Sequence, residues 1–207
     1  MTLGRVIRSF ATPSNYPMGL EWVGGTFWCC DDVNDVLWQV DAVTGRMIRS
    51  MAQPGGYPGG IAWDGRSLWY SDGGTDAVYQ IEPLTGRAIR SFAAPSSGPL
   101  SVAWGAKVLW VCDRDSDLIY QVDPATGEMI RGFATPGPGS MGLAWDGRTL
   151  WCSDADNNAI YQMDPETGRV IQSCASPGAM AVGLAWDGRT IWNNDWDNDQ
   201  IYQLAVN

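Results

Sequence analysis

The chain has 207 residues, with 23 Asp and Glu against 13 Lys and Arg and no His, for a net charge of −10. That balance argues against the basic stripe on which nucleic-acid binding depends, and against anionic lipid surfaces as partners. No stretch of about 18 apolar residues could span a bilayer, and the opening MTLGRVIRSF lacks the basic and apolar regions of an export signal, so a soluble, cytoplasmic monomer is expected.

In chain order, residues 5–11 form a first candidate strand, and from Gly4 onward the sequence repeats every 41 residues without insertion, at Gly4, Gly45, Gly86, Gly127 and Gly168. Each repeat carries four short β-prone runs. From the fourth repeat into the start of the fifth they read GLAW, TLWCSD, AIYQMD and RVIQSCA, separated by DGR, an Asp/Asn loop and DPETG. The Asp-Gly and Thr-Gly pairs supply the positive-φ residues of tight turns, and the loop holding Pro13, Pro54, Pro95, Pro136 and Pro177 suits a strand-free crossover. Four antiparallel strands per repeat make a propeller blade. The chain starts in a fourth-strand motif and ends after a third-strand motif near Leu204, so the last blade is expected to be closed by the N-terminal strand. The result is an all-β, five-bladed β-propeller forming one domain over residues 1–207, its ring leaving no exposed sheet edges.

The pattern GLAWDGRTLWCSDADNNAIYQMDPETG resembles the repeat of the streptogramin (virginiamycin B) lyases and of NHL-type propellers, and the similarity covers all five repeats. Streptogramin lyases act through a catalytic His; this chain has none, so the resemblance implies the fold and not that activity. Locally, MGLEWVGGTFW at residues 18–28 resembles the QGLE-plus-GGTLYE opening of the glutaminyl cyclotransferases, five-bladed propellers in which Glu21 would match the Glu of QGLE. The second Glu of that motif falls on Cys29 here.

Two Trp positions recur in all five repeats, one on the first strand (Trp22, Trp63, Trp104, Trp145, Trp186) and one on the second (Trp28, Trp69, Trp110, Trp151, Trp192), as expected of packing between blades. A Gln repeated on the third strand (Gln39, Gln80, Gln121, Gln162, Gln203) is expected to hydrogen-bond across blades. Five cysteines without CxxC spacing read as free thiols, the strand neighbours Cys29 and Cys30 facing opposite ways.

Each second strand ends in Asp, and the loops that follow hold 13 of the 23 acidic residues, so one face of the ring should be strongly negative while Arg66, Lys107, Arg148 and Arg189 gather at the other. No cofactor is required. Calcium is the one these loops admit, with Asp113, Asp115, Asp117, Asp195, Asp197 and Asp199 as candidate ligands, although the EF-hand Gly and terminal Glu are missing. Glu21 stands where the other repeats have Ala62, Ala103, Ala144 and Ala185, an offset expected to line the central channel. Trp196, outside the rings, and Tyr16 and Tyr57, in the crossovers, should meet in one sector of the acidic face near Glu21. Aromatic rings beside carboxylates suit a small cationic, carbohydrate or peptide ligand, making the chain a binding module or scaffold without catalytic residues. The alternative is an enzyme of lyase or glutaminyl-cyclotransferase type that uses Glu21 as its acid or base.

Overall fold

The computed structural model describes residues 2–13 and 15–206. Its twenty strands form five four-stranded antiparallel sheets. Blade 1 contains β2 (Pro17–Val23), β3 (Thr26–Asp31), β4 (Val36–Asp41) and β5 (Met47–Ala52), and blade 2 contains β6 (Pro58–Trp63), β7 (Leu68–Asp72), β8 (Ala77–Ile81) and β9 (Ala88–Ala93). Blade 3 contains β10 (Pro99–Gly105), β11 (Val108–Asp113), β12 (Leu118–Val122) and β13 (Met129–Ala134), and blade 4 contains β14 (Ser140–Trp145), β15 (Leu150–Asp154), β16 (Ala159–Met163) and β17 (Val170–Ala175). Blade 5 joins β18 (Ala181–Trp186), β19 (Ile191–Asp195) and β20 (Gln200–Leu204) to β1 (Val6–Ala11), which pairs antiparallel with β20 from Val6 opposite Leu204 to Ala11 opposite Gln200. The innermost strands touch in the cycle β2, β6, β10, β14, β18 and back to β2, so the five-bladed ring is closed from both ends of the chain.

The core is five seams between blades rather than one central cluster. Leu20, Phe27, Cys29 and Trp38 of blade 1 pack with Ala185, Trp192 and Ile201 of blade 5, while Trp28, Cys30 and Leu37 pack with Ile61, Leu68 and Tyr70 of blade 2. Cys29 and Cys30 thus lie in different seams, as strand alternation requires. Burial pushes both thiols up, that of Cys30 to about 12, which keeps them unreactive. The inner strands approach backbone to backbone, and the repeated glycine makes this possible: a Cβ on Gly183 would stand 2.5 Å from the Met18 carbonyl oxygen.

The Gln–Arg network differs from the expected cross-blade amide. Gln39, Gln80, Gln162 and Gln203 donate to a hydroxyl of their own blade (Thr26, Ser67, Thr149, Thr190) at 2.7–2.9 Å. The span to the next blade is made by arginine, because only its fork is long enough. Arg8 donates to Gln203 Oε1 at 3.0 Å, lies 4.8 Å above the Trp192 ring, and reaches the Ala42 carbonyl of blade 1 at 2.9 Å. Arg90 and Arg131 repeat the arrangement over Trp69 and Trp110, donating to carbonyls of the turns that open at Asp123 and Asp164.

Three of the turns after the inner strand are built on Asp. Asp64 Oδ1 accepts from the Arg66 and Ser67 amides at 2.7 Å each, and its Oδ2 accepts from Trp69 Nε1 at 2.9 Å. Burial pushes the Asp64 carboxyl up, but the combined hydrogen bonds from Ser67, Trp69 and Arg66 outweigh it and hold the carboxyl below its usual range. Blade 3 replaces this turn with Ala106 and Lys107, both in the left-handed region at φ 54° and 67°, where blade 1 has Gly24 and Gly25. Replacing Ala106 and Lys107 together by Asn and Gly should therefore stabilise the fold by about 1–2 kcal/mol, measured as a shift of the urea midpoint at unchanged slope.

Candidate functional site

The aspartate ending each second strand is buried and organises its loop. Asp72 Oδ1 accepts from the Gly74 and Thr75 amides at 3.1 and 2.8 Å, and its Oδ2 accepts from the Tyr57 amide at 3.1 Å, tying the crossover to the acidic loop. Asp195 does the same in blade 5, with Oδ1 accepting from the Asn198 amide and Oδ2 from the Met180 amide, both at 2.9 Å. Asp117 and Asp199, at φ 53° and 50°, hold the left-handed position that closes the loop, and their carbonyls accept from Thr135 and Thr12.

Most of the local acidity thus has a conformational task. Among the described residues no group of three or more acidic or sulfur side chains is placed to hold a metal ion. Neither Asp113, Asp115 and Asp117 nor Asp195, Asp197 and Asp199 form such a group. Asp113 Oδ2 is buried without a protein partner.

The aromatic sector forms across the closing seam. The Tyr16 ring lies 4.5 Å from that of Trp196, and the Tyr16 amide donates to Asp199 Oδ1 at 2.9 Å while its own φ is held at 58°. Trp196 and Tyr57 both face a cavity of about 200 Å³ at the ring axis on the acidic face. Its floor is Met18, Met141, Met180 and Val182, and its rim carries two opposite charges, Asp32 from blade 1 and Arg114 from blade 3. A neighbouring cleft of about 220 Å³ shares Tyr57 and Arg114 and continues over Gly73, Gly98, Leu100 and Asp115. Beneath the floor the axis narrows, between residues such as Gly19, Gly59, Ser101 and Gly183, to a void of about 10 Å³. That is room for no more than about one water molecule.

Glu21 is not in the wall of this cavity. It lies on β2 beyond the constriction, opposite Trp28. Nor does its offset line an open channel: the equivalent Ala185 packs forward against Leu20 of the next blade, so alternation turns residue 21 into the seam with blade 2. The half-buried Glu21 carboxyl accepts no hydrogen bond among the described residues, and burial pushes it well above the ordinary carboxylate range.

The folded protein therefore binds a proton here more tightly than the unfolded chain does. The resulting penalty is absent at pH values below the ordinary Glu value of 4.5 and grows as pH rises through the elevated one. Glu21→Ala should stabilise the protein by about 1–3 kcal/mol at neutral pH, the cost of an uncompensated buried polar group. The gain should shrink when both proteins are titrated with urea at acid pH; a gain independent of pH would remove the ionisation argument.

Sequence reasoning flagged Tyr57 and Trp196 but missed Asp32, Met18, Met141, Met180 and Val182, and noted Arg114 only as the lone base of the acidic loops. The signal was present in the repeat itself. Every residue facing the cavity comes from one of three offsets: Tyr57 and Met180 from one, Met18, Met141 and Val182 from the second, Asp32, Arg114 and Trp196 from the third. At the third the five repeats read Asp32, Gly73, Arg114, Ala155 and Trp196, five different residues inside otherwise similar blades.

No family model and no curated protein matches the chain. Among solved structures it is similar to the glutaminyl cyclase of Myxococcus xanthus, with a TM-score of 0.85 and 14% identity over 97% of this chain and 95% of that one. It is also similar to the virginiamycin B lyase of Staphylococcus aureus, with a TM-score of 0.60 and 22% identity over 96% of this chain and 69% of that one. Both families to which the repeats bear a sequence resemblance thus share the fold, and at these identities the likeness is one of fold.

Proposed function

We propose that the chain is a binding module whose ligand, a small molecule or the end of a peptide with an apolar body, enters the axial cavity on the acidic face. One observation carries this: the two Trp offsets of the seams hold tryptophan in all five blades, whereas the offset of Asp32, Arg114 and Trp196, which faces the cavity, holds five different residues. A ring held together by repeated contacts has no structural need for variation at one spot. A site needs asymmetry, because a single ligand on a fivefold axis cannot be matched by five equal contacts.

The chemistry of the wall is of the usual kind for small-molecule sites, thioether and aromatic surface with a few polar groups at the rim. A cavity of about 200 Å³ exceeds the roughly 150 Å³ that accommodates benzene, so a ring or branched side chain fits. The test is a fragment and oligosaccharide panel followed by amide chemical-shift mapping. Hits should perturb the amides of Tyr57, Met141, Met180 and Trp196 and be lost in Trp196→Ala. Hits that map to the outer strands, or a panel without hits, would refute the proposal.

A second reading rests on Glu21. A desolvated carboxyl held above the ordinary carboxylate range and without a hydrogen-bond partner is suited to donating or accepting a proton, and the two similar structures are a cyclase and a lyase. It predicts cyclisation of a glutaminyl peptide that disappears in Glu21→Gln. The constriction between Glu21 and the cavity speaks against both using one site.

A further inference from the structure

Building on the binding reading, we infer that the axial cavity selects a zwitterion, an apolar amino acid or a very short peptide, with its carboxylate at Arg114 and its ammonium at Asp32. The two charged groups occupy the same repeat offset in blades 1 and 3, and the blade between them has only Gly73 there, with the Tyr57 ring packed against it, so no third charged side chain joins them at that offset. Trp196, from the same offset of blade 5, closes the third side, and Met18 and Met141 lie beneath.

Arg114 is the only base in the five acidic loops. Although surrounded by aspartates, it makes no ion pair among the described residues, where the ion pair formed is Arg131 Nη1 to Glu166 Oε2 at 2.9 Å. Its backbone amide donates to Gly98 at 3.3 Å, which fixes the loop but leaves the guanidinium available to a planar anion. A purely cationic ligand would gain from the negative face but would bring its charge toward Arg114, and a purely anionic one would meet the field of 13 loop carboxylates. Only a ligand carrying both signs satisfies Arg114 and Asp32 together. Its lack of net charge also makes its binding nearly independent of salt, unlike that of a cation steered by the whole face.

The experiment uses three probes of one shape: L-phenylalanine, 3-phenylpropionate, which lacks the ammonium, and 2-phenylethylamine, which lacks the carboxylate. Affinities are measured by titration of the intact protein at neutral pH. L-Phenylalanine should bind about tenfold more tightly than either analogue, as loss of one charge-assisted contact implies. Arg114→Gln should bring L-phenylalanine down to the level of 2-phenylethylamine, and Asp32→Asn down to that of 3-phenylpropionate, with both variants retaining the wild-type melting profile because both side chains are at the rim. Equal binding of all three probes by the wild type, or fragments that fill the cavity while none of the three does, would overturn the charge assignment and leave the binding reading intact. A cavity that no probe and no fragment enters would overturn both.

Discussion

A chain lacking residues 1–11 should lose cooperative folding. β1 is the outer strand of blade 5, and without it β20 becomes an open edge beside a hydrophobic seam. The loss goes beyond one ladder. Phe10 stands 6.3 Å from Phe27 and 6.1 Å from Trp192, and Arg8 is the link from Gln203 to the Ala42 carbonyl of blade 1, so the seam between the last and first blades loses both apolar filling and its polar tie. A ring differs from a linear stack in that its last interface supports all the others, and opening it removes one of five blade interfaces and leaves the first and last blades with one neighbour each. Domains of this kind are stable by about 5–15 kcal/mol in total, so the deletion is expected to consume that margin. Far-UV circular dichroism on heating should show a broad, low-temperature loss of signal, and size-exclusion chromatography should show aggregates formed through the β20 edge. A monomeric deletion protein that melted as sharply as the full chain would mean that blades 1 to 4 hold the ring shape by themselves.

The fold was legible in the sequence because one repeat length constrains every blade at once. Gly45, Gly86, Gly127 and Gly168 adopt the positive φ that the Thr-Gly turns imply, as does Gly4 after Leu3, and the two Trp offsets fall in the seams as expected. The direction of Glu21 was less legible. Repeat comparison marks its offset as unusual but does not say which way it points. That depends on how closely the inner strands approach, which glycine sets at Gly19, Gly60, Gly142 and Gly183. The cavity was half legible: Tyr57 and Trp196 stand out as aromatic intruders, whereas Asp32 and Arg114 look like ordinary members of a charged loop. Their shared offset with Trp196 becomes informative only once the ring brings five loops to one axis. The network joining Gln to Arg to the next blade was hidden for a different reason, since the arginine belongs to the following strand and its acceptors are carbonyls, which have no sequence signature.

Trp192→Ala should cost about 3–5 kcal/mol, the range for truncating a buried aromatic residue, and lower the melting temperature by roughly 6–20 °C for a chain of this size. Trp192 contacts Phe27 edge-on at 4.8 Å and stacks with Trp22 at 6.1 Å, it lies under Arg8, and its Nε1 donates to Asp187 Oδ2 at 2.7 Å. The equivalent Trp110 has the packing without the hydrogen bond: its Nε1 is buried with no partner, because blade 3 carries Gly105 where Asp64 and Asp187 stand in other blades. Aspartate cannot be restored there cheaply, since a Cβ on Gly105 would collide with the Trp145 ring. Phenylalanine substitutions separate the two contributions. Trp192→Phe removes a charge-assisted hydrogen bond as well as part of a ring and should cost about 1.5–3 kcal/mol more than Trp110→Phe, which removes an orphan donor along with the same ring area. Guanidinium titrations of the two variants would read the difference directly; equal losses would show that packing alone sets the stability of these seams, and that the aspartates serve only their own turns.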